Sequence, residues 1–280
     1  MPRYRLNTAL TGAQETGLRP AMDVEFAELS DCGPVRTNNE DYVGHWLPGN
    51  PQQGRNRGWV FALADGVGGQ DKGEVASRMT VESVVEEFAK PAAGEVPSTL
   101  LANAVKAANT RVYEAGHGAM ASTLVAVTLR FDRATIAHVG DSRCYLIRNR
   151  RPQLLTRDHT VVNEQVRLGL FSEQEAKKAV TRNILTRSIG NRLFVAADVS
   201  EHNVKAGDLL LLCSDGLHGA VPEETIGRIA DGGGTLQDAA RQLITIANQS
   251  DGGDNVSVQL IRVKNVEAVG MYRGRPYRLH

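Results

Sequence analysis

Residues 59–69 read WVFALADGVGG, and the reading of that stretch decides the fold. An apolar run from Val60 to Ala64 ends on a lone carboxylate, Asp65, followed by the glycine-rich turn Gly66, Val67, Gly68, Gly69. A short buried strand has this composition, and it would deliver its acid to the sheet edge beside a flexible turn. The pattern recurs along the chain. TIAHVGD at 135–141 places Asp141 after a strand-like run, DLLLLCSDG at 208–216 places Asp215 after another, and DNVSVQLIRV at 254–263 opens a fourth run on Asp254. Each acid taken singly is an ordinary turn residue. Four of them at the ends of four apolar runs predict one shared site, because in an antiparallel arrangement the end of one strand lies beside the start of its neighbour.

Working outward, residues 22–30 read as an edge strand, 42–47 as a second strand and 48–57 as a loop. Residues 74–90 and 99–115 carry apolar stripes at helical spacing and form a helix pair. Residues 121–130, 133–140 and 143–148 read as three strands joined by tight turns, hence as hairpins, with a further short strand at 153–155. Between 158 and 190 two short helices, 161–170 and 172–180, look inserted as a flap. Ser172 is placed to cap the second of them, with Glu175 at the capping-box position. Strands at 194–204 and 208–213, helices at 222–231 and 235–249, and a last strand at 255–263 complete the chain. About ten strands, two helix pairs and a small insertion predict an α+β fold: a four-layer αββα sandwich of two mainly antiparallel sheets packed face to face, with the helix pairs outside. The expected organisation is a loosely ordered segment at 1–20, one catalytic domain at 21–264 with its flap at about 159–190, and a basic tail at 265–280 holding Arg273, Arg275 and Arg278.

Composition narrows the function. Of 280 residues, 41% are apolar and 23% charged, and 32 Lys and Arg balance 32 Asp and Glu. That balance, without a basic stripe or interleaved aromatics, points away from nucleic acid, and so away from a two-metal nuclease. No apolar run approaches a membrane span. The three cysteines, Cys32, Cys144 and Cys213, are far apart, which suits a reducing compartment rather than a disulfide framework or zinc site. A cytoplasmic monomer without membrane insertion is expected.

Clustered carboxylates cannot all stay ionised without a cation. Oxygen ligands with no cysteine or histidine partner suit Mg2+ or Mn2+. Gly66 would let its main-chain carbonyl approach an ion closely. Arg36, in the polar stretch RTNNED at 36–41, suits two oxygens of a phosphate, and Glu40 and Asp41 follow it at reach of metal-held waters.

The motifs RTNNED, ADGVGG, ASTLVAV, AHVGDSR, TRDHT, LTRSIG, CSDGL and GGDNVSV occur in the order and approximate spacing seen in the metal-dependent protein phosphatases (the PPM, or protein phosphatase 2C, family), over residues 23–263. The chain resembles the bacterial branch of that family. The resemblance implies a sandwich flanked by helices and hydrolysis of phosphoserine and phosphothreonine by direct attack of a water bridging two metals. It implies Asp65 as the bridging ligand, the Gly66 carbonyl on one ion, Asp215 and Asp254 on the other, and Glu40 and Asp41 acting through water. It further implies Asp141 with Asp215 at a weaker third ion, Arg36 on the substrate phosphate, and Asn255 orienting the site. Phosphorylated proteins, among them a cognate Ser/Thr kinase, are the implied partners. Val67 stands where many eukaryotic members carry a histidine that protonates the leaving group. His159, in TRDHT, is the candidate for that proton, and a structural residue at the flap root is the other reading of it. His218 shows no supporting context. A catalytically inactive, phosphatase-like regulatory or binding module is the alternative, and it should lack some of these acids.

Overall fold

The computed structural model describes residues 21–67, 72–90, 95–272 and 275–278. Its first sheet has strand order β1 (Met22–Asp31), β10 (Val256–Val266), β9 (Leu209–Cys213), β6 (Arg143–Arg148), β7 (Arg151–Leu154). The second runs β2 (Asp41–Trp46), β3 (Trp59–Asp65), β4 (Leu124–Arg130), β5 (Arg133–Val139), β8 (Asp198–Asn203). Every pairing in both sheets is antiparallel.

Strand periodicity builds the layers. In β3, Trp59, Phe61 and Leu63 meet Phe26, Leu146, Leu210, Leu212 and Ile261 of the other sheet in a shared core. The alternate residues Val60, Ala62 and Ala64 pack under α2 (Gly73–Ala89) and α3 (Pro97–Gly116). In β9, Leu209, Leu211 and Cys213 turn the other way, against α6 (Asp215–His218), α7 (Glu223–Ala230) and α8 (Leu236–Ser250). Each fully buried leucine or phenylalanine stabilises the fold by about 1.5–3 kcal/mol. The expected helix–sheet–sheet–helix order is therefore present, and β1 is an edge strand as read. No helix among the described residues is long and apolar enough to cross a membrane.

Some details differ from the sequence reading. Residues 133–148 are not one hairpin: β5 and β6 belong to different sheets, and residues 140–142 arch between them. β5 pairs with β4 and β8, whereas β6 pairs with β7 and β9, and Ile136 and Leu146 meet in the core from opposite sheets. The 48–57 loop contains α1 (Pro51–Arg57). The Asn50 side chain caps it by accepting from Gln53 N–H, proline starts it, and Gly58 at φ 79° ends it. The strand expected from 194 begins only at Asp198. Ahead of it, Asn109 Nδ2 donates to the carbonyls of Arg192 and Leu193, at 3.0 and 3.1 Å, and this side chain takes the place of a strand partner. The last long strand extends to Val266, and the segment read as a tail continues into a hairpin, β11 (Val269–Tyr272) with β12 (Arg275–Arg278). Residues 1–20 lie outside the described residues. The flap holds α4 (Val161–Arg167) and α5 (Glu173–Lys178), and the Ser172–Glu175 capping box is formed.

Candidate active site

Along one rim the chain passes between the sheets at 31–41, at 139–143 and through the flap, and all the candidate acids stand there. Asp41 and Asp65 are direct cross-strand partners. Asp254 precedes β10 on the rim where Asp31 pairs with Val256. Asp215 follows β9, and Asp141 caps the arch after β5. Burial and mutual repulsion act on the whole group. Asp65 is held well above the usual carboxylate range, first by burial and then by Asp41, Asp215, Asp141 and Asp254. Burial, with Asp215 and Asp254, pushes Asp41 up to about 7, and burial, with Asp254, pushes Asp215 up to about 6. Asp141 is also raised well above its ordinary value, by burial and then Asp215. Asp215 lies within hydrogen-bonding reach of Asp65. Glu40, partly buried, is raised by desolvation against the opposing pull of Arg36.

The residue types fit hard divalent cations, and two observations on the atoms support this. The Oδ1 atoms of Asp41 and Asp215 are buried without a hydrogen-bond partner. A Cβ built on Gly66 would lie 2.3 Å from the Gly73 carbonyl oxygen and 2.8 Å from that of Glu40, so only glycine lets these main chains close on each other. Among the described residues no three His, Cys, Asp or Glu side chains stand together in an arrangement that could hold an ion. Ions that keep several waters and take one or two carboxylates each do not need such an arrangement.

Main-chain contacts set the acids in place. Asp65 N–H donates to Thr123 Oγ1 at 2.9 Å, and the Asp65 carbonyl accepts from Thr123 N–H at 2.8 Å and from Ser122 Oγ at 3.0 Å. Ser214 Oγ donates to Asp41 Oδ2 at 2.8 Å. Asn255 Oδ1 accepts from Glu40 N–H at 2.8 Å, while its Nδ2 donates to the carbonyls of Cys32 and Asn38, both at 2.9 Å. The role of Asn255 is thus to hold the Arg36–Glu40 loop against β10. Ser214 and Thr123 are not legible in the sequence, since a serine or threonine in a motif carries no sign of which carboxylate it will face.

Arg36 is placed beside the acids. Its Nη2 lies 3.0 Å from Asp254 Oδ1, its Nε donates to the Gly253 carbonyl at 3.1 Å, and the side chain is 42% exposed. The His159 ring bonds to none of these acids. Its ring is fully buried at the flap root, Nδ1 accepts from Gly140 N–H at 3.2 Å, and Nε2 lies 3.2 Å from Asp198 Oδ2. That geometry is a structural residue's, and it presents no proton to solvent.

The stacked carboxylates give a signed pH dependence. Their folded-state pKa values are raised, so their charge opposes folding once pH passes the unfolded value of about 3.9, and fully above the folded value. Chelator-stripped protein should lose melting temperature as pH rises from about 4 to about 7, the window set by Asp41 and Asp215. Added Mn2+ should raise the melting temperature more at pH 8 than at pH 5. Scanning calorimetry at the two pH values checks this, and an equal shift at both would contradict it.

Comparison with known proteins places the chain. The family described as Protein phosphatase 2C matches residues 36–252. The chain is 32% identical to the protein phosphatase PhpP of Streptococcus pneumoniae over 251 residues, 88% of this chain and 100% of that one. A serine/threonine phosphatase of S. agalactiae has a similar structure, with TM-score 0.79, 33% identity, and coverage of 86% of this chain and 100% of that one. The catalytic domain of the serine threonine protein phosphatase PstP, in complex with 2 manganese ions, superposes with TM-score 0.73 at 31% identity, covering 86% of this chain and 99% of that one.

Proposed function

The chain belongs to the protein phosphatase 2C family, and from that premise we infer that it is a metal-dependent serine/threonine phosphatase acting on phosphoproteins. The observation that carries the reading is the group of mutually repelling buried acids on one rim, with Arg36 at its open side. Asp65, the Gly66 carbonyl, Asp215 and Asp254 would hold two core ions, Mn2+ or Mg2+. Glu40 and Asp41 would support their waters, and Asp141 with Asp215 would hold a weaker third. When bound, the ions activate water for attack and neutralise charge on the transferring phosphoryl group.

The chain's own groups do the rest. Arg36 binds the phosphate through its planar fork, exchanging its contact with Asp254 for substrate oxygens. Asn255 and Thr123 keep the acids and the arginine in register. Val67 offers no proton to the departing alkoxide, and His159 holds the arch rather than the substrate. No specific feature favours the inactive alternative, because none of its expected acid losses has occurred.

The test is direct. Protein stripped with chelator should hydrolyse neither an aryl phosphate nor a phosphothreonine peptide, and added Mn2+ should restore both activities. If Mn2+ restores neither, the reading fails. Arg36→Ala should lower kcat/KM about 10- to 100-fold, matching a charge-assisted bond of about 1.5–3 kcal/mol. Its melting temperature should be nearly unchanged, as for other exposed side chains. Steady-state kinetics on the aryl phosphate measures the first and a thermal melt the second. We extend the reading to a cytoplasmic monomer that counteracts a Ser/Thr kinase. A phosphoproteome compared with and without the protein, and a sizing column, test those two points.

A further inference from the structure

The arch at 140–142 is held from several sides. Gly140 sits at φ +105°, and a Cβ there would come within 2.7 Å of Thr123 Cβ, so the arch closes tightly over β4. The Ser142 and Thr123 hydroxyls are 2.7 Å apart, and His159 Nδ1 takes the Gly140 N–H. The Asp141 carbonyl lies 3.0 Å from His218 Nε2. A carbonyl can only accept, so this nitrogen carries the hydrogen.

His218 is the last residue of α6, and Asp215 is the first. A single helical turn closed by Gly219 N–H on the Asp215 carbonyl, at 2.7 Å, therefore presents a carboxylate and a hydrogen-bond donor three positions apart. The donor reaches the same residue that the carboxylate is coupled to, Asp141. We infer that His218 is a positioning residue that fixes the separation between Asp141 and Asp215, and with it the strength of the weakly held third cation. This rests on the assignment of those two acids under the proposed function.

The choice of side chain has a physical reason. An imidazole donates through one ring nitrogen without needing a charge. Lysine or arginine would donate equally well but would add a positive charge beside a site that collects cations. Arg143 itself, behind the arch, is neutralised by Asp158 through two bonds of 2.9 and 2.7 Å.

The experiment titrates Mn2+ by calorimetry into chelator-stripped wild type, His218→Gln, His218→Asn and His218→Leu, and follows aryl phosphate turnover against Mn2+ concentration. Glutamine can place an amide N–H where Nε2 stood, asparagine is too short to do so, and leucine fills the space without a donor. The tighter binding events should be the same in all four proteins. The weakest event, and the Mn2+ needed for half-maximal turnover, should shift upward roughly tenfold in the Leu and Asn variants, as for loss of one buried hydrogen bond. In the Gln variant the shift should stay under about threefold. KM for the aryl phosphate at saturating Mn2+ should stay within about twofold of wild type, since no substrate contact is removed. Equal shifts in the Gln and Leu variants would overturn the assignment. So would a lowered melting temperature with an unmoved weakest event, or a wild type with no event weaker than the core pair. If Leu does not fold, Asn against Gln decides in the same way. A wild type that neither binds Mn2+ nor turns over fails at the proposed function, and this inference falls with it.

Discussion

Asp65→Asn lowers kcat at least roughly 1,000-fold while the chelator-stripped protein melts no lower than the parent. The two halves of that expectation have separate causes. The carboxylate stands at the centre of the acid group, repelled by Asp41, Asp215, Asp141 and Asp254, and the metal-bridging role proposed for it would control several kcal/mol of transition-state stabilisation, with about 1.4 kcal/mol per factor of ten. The main chain at Asp65 is fixed by Thr123 and Ser122 regardless of the side chain. Asparagine keeps the shape and removes one of the like charges, so the unloaded fold loses a repulsion and gains none. Kinetics in saturating Mn2+ and a melt in chelator measure the two halves. Activity within about tenfold of the parent would remove Asp65 from the metal centre, and a collapsed melt would make it a structural residue.

Gly66→Ala has the largest expected effect on stability. The added carbon would sit 2.3 Å from the Gly73 carbonyl oxygen, 2.4 Å from its carbon and 2.8 Å from the Glu40 carbonyl oxygen. All three are main-chain atoms with no rotamer to yield, so β3, the start of α2 and the Glu40 loop must separate. Overpacking of this kind costs about 1–3 kcal/mol or more, or a fall of roughly 2–12 °C in Tm for a domain of this size. Turnover should fall with it, because the Gly66 carbonyl and the Glu40 loop shift together. Gly234→Ala is the control: nothing lies within 4 Å of its added carbon, and its Tm should match the parent's.

The acids and the layer order are legible in the sequence for one reason. Buried strands in antiparallel sheets have short, unmistakable apolar runs, and their ends must gather at rims, so the runs alone assign Asp65, Asp141, Asp215 and Asp254 to one rim. Which sheet a strand joins is not written in the runs. GDS at 140–142 looks like a hairpin turn, and only the pairing of β5 with β8 and of β6 with β9 shows that it is an arch between sheets. His218 is silent in the sequence for a related reason. Its partner is 77 residues away, and no periodicity links a one-turn helix to a distant carbonyl. The α1 helix is a different case. Asn50, Pro51 and Gly58 are local start and stop signals, and the loop-like composition of the stretch outweighs them.

The flap is built differently from the sandwich it sits on. Its root is pinned by ladder-like pairs: Thr186 N–H to the His159 carbonyl at 2.8 Å, Val161 N–H to that of Ile184 at 2.9 Å, and Ile189 N–H to that of Ser122 at 2.7 Å. Its tip is supported by its own caps, with Leu168 63%, Leu170 66% and Val180 99% exposed. Among the described residues such a segment is where a protease enters first, and a cut there frees neither end. Brief digestion should therefore give two bands on a denaturing gel from a particle that still elutes as one, with every clustered acid still on the rim.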